Sequence, residues 1–165
     1  MIEIGFDLST SCSGYAVFDK CDLIKYGAIT PKSKDWRDRV MEETLEIARL
    51  LKQHAPDAIY VEDVPKKPGA NTLHKLGAVQ GMILSLCAGF KIRPTFLLPS
   101  DWRRSLGLYD GTKEGLKREV LKEKAVYMAN NVFGLNLEWH GANSKKSEDD
   151  IAEAILIAYS QIRTR

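Results

Sequence analysis

Carboxylates stand at four places in this 165-residue chain where an acid is a costly choice. Asp7 closes the apolar run Ile2-Glu3-Ile4-Gly5-Phe6, and Glu62 closes Ala58-Ile59-Tyr60-Val61. An acid ending a strand ordinarily makes a turn, but Glu is a poor turn former, so Glu62 asks for another explanation. Glu148-Asp149-Asp150 precedes the Ala/Ile-rich stretch that carries Glu153. Capping and the helix dipole account for acids at the start of that helix, though not for Glu153 inside it. Residues three or four apart share a helix face, so Asp150 or Asp149 can join Glu153 at one locus, and spacing leaves both open. Carboxylates gathered from two strand ends and one helix repel one another unless hard, oxygen-seeking cations neutralise them. Cys12, Cys21 and Cys87 lack CxxC spacing and no His lies at ligand spacing, which favours Mg²⁺ or Mn²⁺ over Zn²⁺. Such a centre suits phosphoryl chemistry, in which two ions activate a water and stabilise the leaving oxygen.

Positioning these acids requires strands that end together beneath a helix. Residues 2–6 and 14–18 read as two strands joined by the tight, polar LSTSCS segment, hence antiparallel neighbours; Leu23 to Ile29 supplies a third. Trp36, Val40, Thr44, Ile47, Ala48 and Leu51 recur at helical spacing between Asp35 and His54. Residues 58–61 read as a buried strand and Thr95 to Leu98 as a fifth. A helix from Ala70 to Ala88 is apolar on most sides, with Gly77, Ala78 and Gly81, and is expected to bury two faces, against the sheet and against a second subunit. Helices are expected again from Lys113 to Val132 and from Asp149 to about Ile162, the last with Ile151, Ile155, Ala158 and Ile162 as its core stripe. Early consecutive strands imply antiparallel pairing and later alternation with helices implies parallel additions, so the expectation is an α/β fold with a five-stranded mixed sheet flanked by helices.

The length fits one domain, residues 1–165, and folding at this size buries roughly 70% of the unfolded surface without disulfides. No apolar run approaches a membrane span and no secretory signal opens the chain, so a soluble domain in a reducing cytoplasm is expected. The net charge of +2 hides an asymmetry: residues 63–124 hold 12 basic and 6 acidic groups, whereas residues 1–62 hold 8 and 11. Most charge runs are solvated helix faces, but a basic middle between acid-bearing ends also suits a protein that grips phosphates beside a metal.

GFDLSTSCSGYAVF (Gly5–Phe18), YVEDV (Tyr60–Val64), LHKLGAVQG (Leu73–Gly81) and DDIAEAILIA (Asp149–Ala158) follow one another in an order that resembles the RuvC family of Holliday junction resolvases, within the RNase H-like superfamily. The resemblance spans nearly the whole chain and is similar to short phage-encoded members. It implies four catalytic, metal-binding acids, carried over as Asp7, Glu62, Asp150 and Glu153, with Asp150 preferred to Asp149. Glu153 departs from the Asp usual at its position. Pro65 stands near the place of an aromatic that wedges into the junction in bacterial members. Family basic residues between the fifth strand and the last helices make Arg103, Arg104, Lys113 and Lys117 the candidates for DNA contact; Lys66 and Lys67 follow Glu62 on a Pro- and Gly-containing loop and join them. Lys145, Lys146 and His140 are placed to balance the last acids, and Trp102 and Trp139 read as core. The implied activity is metal-dependent cleavage of four-way DNA junctions by a homodimer whose two-fold symmetry matches the substrate, the helix over residues 70–88 being the interface candidate. The alternatives are a related nuclease acting on flaps, forks or structured RNA, and a noncatalytic junction-binding module. An actin-like nucleotide-binding protein is disfavoured, because the chain has no room for a second phosphate-binding hairpin.

Overall fold

The computed structural model describes residues 1–64 and 69–164. Strands β1 (Ile2–Asp7), β2 (Ser13–Asp19) and β3 (Asp22–Ile29) form an antiparallel meander. Helix α1 (Trp36–His54) leads into β4 (Ala58–Glu62), and α2 (Ala70–Gly89) into β5 (Thr95–Leu97). The sheet order is β3-β2-β1-β4-β5, with β4 parallel to both β1 and β5. Helices α3 (Pro99–Ser105), α4 (Arg118–Phe133) and α5 (Asp149–Ile162) complete the chain. This is the five-stranded mixed sheet flanked by helices that the sequence implies.

Alternation along the strands divides the core between the two faces of the sheet. Ile4, Phe6, Val17, Ile59 and Val61 pack with Ile47 and Leu51 of α1 and with Val79 and Ile83 of α2. The intervening residues Ala16, Phe18 and Tyr60 face α5, α4 and Trp102 of α3. The same period sets Asp7 and Glu62 on the α5 face, and the parallel pair Phe6↔Val61 brings the two strand ends side by side.

Helix α5 lies directly on β1 and β2 because the strands carry no side chain where it crosses. A Cβ at Gly5 would stand 2.3 Å from the Ala154 carbonyl oxygen, and one at Gly14 would stand 1.8 Å from that of Asp150. Small residues on the helix, Ala152, Ala154 and Ala158, complete the close approach. Since α4 covers its other side, burial extends beyond the expected stripe to Leu156 and Ile157.

One expectation needs correction and one helix was not foreseen. The helix expected from Lys113 starts at Arg118, because Asp110 organises a turn ahead of it: its carboxylate accepts from the Thr112 amide and hydroxyl and from Lys124, with Gly115 packed against it. Helix α3 was not anticipated, although Pro99 at its first turn followed by Asp101 is a start signal. Helix α2 buries the stripe Val79, Met82, Ile83 and Cys87 against the chain's own core, as expected of one face; the face expected to meet a second subunit carries the exposed Leu73 and Leu84, with open space around Gly77 and Gly81.

Candidate active site

Asp7 comes from the end of β1, Glu62 from the end of β4, and Asp150 and Glu153 from the first turns of α5. Gly14, the sheet partner of Asp7, lets the Asp150 backbone settle on the strand, so the missing side chain is what brings helix acid to strand acid. Carboxylate oxygens of Asp7, Asp150 and Glu153 lie within 4.8 Å of one another. Glu62 stands beside this trio in the same cleft of about 1040 Å³, held by the Trp102 Nε1–H at 3.0 Å and by Arg103 at 3.3 Å.

Like charges this close repel by roughly 3 kcal/mol per pair at an effective dielectric near 20, and burial adds to the cost. The acids respond as expected. Burial, then the charges of Glu62, Glu153 and Asp150, hold the Asp7 carboxyl well above its usual range. Burial and Glu153 push Glu62 up to about 7, against the pull of Arg103, the Trp102 N–H and Lys122. Asp150 is raised by burial and by Asp149, with Lys122 and a hydrogen bond from the Cys12 thiol opposing. That thiol is itself pushed up to about 12 by burial and by Asp150, so it is a protonated donor here.

Two buried cations offset the acids. Arg103 bridges Glu62 and Glu153, the latter at 2.5 Å, with its side chain 15% exposed. Lys122 reaches Asp150 at 3.3 Å and Glu153 at 3.5 Å, and also pairs with Asp149. Burial opposes both charges, but the surrounding carboxylates outweigh it and raise both above their usual values.

These placements differentiate the residues singled out from sequence. Asp7, Asp150 and Glu153 converge; Glu62 is adjacent and separately tethered; Asp149 turns to Lys122. Arg103 points into the acids rather than outward, whereas Arg104 and Lys113 are exposed and Lys117 forms an exposed pair with Glu114. Lys66 and Lys67 lie outside the described residues, as does Pro65. Lys145 lines the cleft and His140 pairs with Glu138, while the ion pairs to the acids among the described residues come from Lys122 and Arg103. Trp102 is core, as expected, and also orients Glu62. Sequence reasoning missed Lys122, although a signal was present: it sits three and four residues before Ala125 and Val126, on the apolar face of its helix. Arg39 and Arg118 at the cleft were missed as well.

The donor set is all carboxylate, with hard oxygen ligands converging on one point, and it fits a Mg²⁺-like divalent cation rather than a soft metal. No helix among the described residues is long and apolar enough to cross a membrane.

No family model matches the chain. Curated relatives do. The crossover junction endodeoxyribonuclease RuvC of Nitratidesulfovibrio vulgaris strain DP4 is 29% identical over 140 residues, covering 82% of this chain and 80% of that protein. RuvC of Dictyoglomus thermophilum is 27% identical over 167 residues, covering 98% and 96%. Among solved structures, Thermus thermophilus RuvC in complex with a Holliday junction substrate superposes with a TM-score of 0.76 at 17% identity, covering 100% of this chain and 96% of that one. The yeast mitochondrial Holliday junction resolvase Ydc2 gives 0.60 at 15% identity, covering 98% and 77%. In sequence over most of its length the chain is similar to RuvC endodeoxyribonucleases, and over all of it the fold is that of the RuvC structures.

Proposed function

We propose that this protein is a divalent-metal-dependent endodeoxyribonuclease that resolves four-way DNA junctions. The observation that carries the reading is the meeting of Asp7, Asp150 and Glu153 within 4.8 Å, beside Glu62, in an open cleft of a chain related to RuvC. Asp7, Asp150 and Glu153 hold the metal, and Glu62 joins them once its proton is lost. Mg²⁺ is the cation of choice, with Mn²⁺ able to replace it, since both take oxygen ligands. The chemistry such ions supply is activation of a water and stabilisation of the leaving oxygen. The acids position metal and are not nucleophiles. Trp102 and Arg103 orient Glu62, and Cys12 donates to Asp150.

DNA approaches over the cleft mouth. Arg39, Arg118 and Lys145 line it, and the exposed Arg104, Lys113 and Lys117 extend the basic surface, with Lys66 and Lys67 as further candidates from sequence. Phosphate contacts of this kind fix position and carry no sequence information. We further propose a two-fold homodimer, which sets two like sites on a two-fold substrate. The open face of α2, with Leu73 and Leu84 exposed, is consistent with burial against a second copy.

Cleavage of a labelled synthetic four-way junction in Mg²⁺, Mn²⁺ and EDTA tests the reading, with Glu62→Gln alongside. The expected result is paired, metal-dependent nicks lost in the variant while junction binding persists. Faster cutting of a flap or an RNA hairpin would redirect the substrate, and binding without any cutting in either metal would reduce the protein to a junction-binding module.

A further inference from the structure

Lys122 is a cation built into the acidic centre. It comes from α4, and its ammonium contacts three carboxylates of α5 while its side chain is only 10% exposed. Two of those carboxylates, Asp150 and Glu153, belong to the converging trio; the third, Asp149, does not. The Asp149 side chain is 8% exposed and turned toward Lys122. A divalent ion and this ammonium therefore draw on the same negative charge at Asp150 and Glu153, whereas Asp149 pairs with the lysine alone among the described residues. This arrangement gives the Asp149-Asp150 doublet a division of labour: one acid anchors the resident cation and the next faces the exchangeable one.

We propose that Lys122 occupies one flank of the centre so that divalent ions load unequally, the first readily and the second only as the ammonium gives up Asp150 and Glu153 and falls back on Asp149. The proposal rests on reading the centre as a metal site. Its consequence is an enzyme that holds its acids together at low metal and completes its ion set only at higher metal.

Mn²⁺ titration of the metal-stripped full chain tests this, following free Mn²⁺ by its paramagnetic resonance signal and heat by calorimetry. Wild type is expected to show two classes of site separated by about ten-fold or more in affinity. Lys122→Met combined with Asp149→Asn removes the buried pair without stranding a charge. In that variant the second class should tighten by about ten-fold and the separation should collapse. Lys124→Met, which removes a charge from the same helix where it pairs with Asp110, should titrate like wild type. Superimposable titrations of wild type and the double variant, or an equal shift in Lys124→Met, would overturn the proposal. Wild type that takes up no Mn²⁺ overturns the metal reading itself, a different and separable result. The single variant Lys122→Met gives a second readout: Mn²⁺ should raise its thermal midpoint more than that of wild type, because the ion replaces the missing ammonium. An equal rise would count against Lys122.

Discussion

Buried carboxylates occur on both faces of the sheet and are handled in opposite ways. On the α5 face, the acids of the centre share two cations, Lys122 and Arg103. On the α1 face, Glu43 is fully buried, accepts a hydrogen bond from the Ser13 hydroxyl, and has its second oxygen unpartnered. No ion pair reaches it among the described residues, and burial pushes it up to about 7. The two regions stand back to back across the start of β2, where Ser13 serves one and Gly14 the other. One region meets the cost of burial with cations and opens on a cleft; the other meets it with a proton and has no ion pair among the described residues. Burial of an acid therefore does not mark a site by itself. What marks it is the company of several converging acids, an open cleft and buried cations paired with them.

The largest expected effects separate the two regions by activity. Asp7→Asn or Asp150→Asn should lower metal-dependent junction cleavage by at least about a hundred-fold and weaken Mn²⁺ uptake, since each removes a charge from the converging trio. Glu43→Gln should leave cleavage within about three-fold, because among the described residues Glu43 lies apart from the converging acids. Gel-resolved nicking rates decide the matter. Equal losses in both variants would erase the distinction between the faces.

Gly14→Ala attacks the seam between the regions. Its Cβ would fall 1.8 Å from the Asp150 carbonyl oxygen, a backbone atom that cannot swing aside. Displacement of the start of α5 should cost about 3 kcal/mol in urea unfolding and weaken Mn²⁺ uptake as well. Gly77→Ala is the contrasting substitution: a Cβ there meets open space on α2, so helix propensity should raise stability by about 0.5–1 kcal/mol. A stabilised Gly14→Ala would mean that α5 does not need its close seat on the strands.

Glu43 has a signature in stability rather than activity. Its folded value near 7 lies above the 4.5 of an unperturbed Glu, so the folded chain holds a proton that the unfolded chain has lost between those values. The contribution is fully present below pH 4.5 and disappears as pH rises through about 7, on the order of 3 kcal/mol across the window. Asp7, Glu62 and Asp150 contribute with the same sign in metal-free protein, so the melts belong in saturating Mg²⁺, which on the proposed reading keeps these acids ionised. There Glu43→Gln should flatten the fall in thermal midpoint between pH 5 and 8. A slope unchanged by the substitution would remove Glu43 as its source.

The acid-ended strands were legible because alternation sets the face of each residue and a charged end to an apolar run is conspicuous; Asp7 and Glu62 follow from that alone. Local patterns also revealed α1, with Asp35 capping its start, and α5. Spacing left Asp149 and Asp150 equivalent, since the choice depends on where α4 places Lys122, a contact spanning 27 residues for one acid and 28 for the other. Arg103 was read as a surface cation for the same reason: an arginine beside a tryptophan on a short helix gives no local sign that Glu62 and Glu153, 41 and 50 residues away, will meet it. The one-sided burial of α2 was equally hidden, because an all-round apolar sequence does not say which face the chain itself covers.

The smallest expected effect concerns Trp102, which joins the core to the centre. Its ring is almost fully buried, and its Nε1–H donates to Glu62 and lowers the value of that carboxyl. Trp102→Phe keeps an aromatic core residue and deletes the donor. Glu62, already near 7, should then hold its proton to higher pH by about one unit, the worth of a hydrogen bond to a charged group. At sub-saturating metal, where the proton competes with the ion, the acid limb of cleavage should move upward with it, so the variant should be slow at pH 7 and close to wild type near pH 9. A loss of packing alone would lower the rate by the same factor at every pH. The pH profile therefore separates a tryptophan that merely fills space from one that sets when Glu62 becomes a ligand.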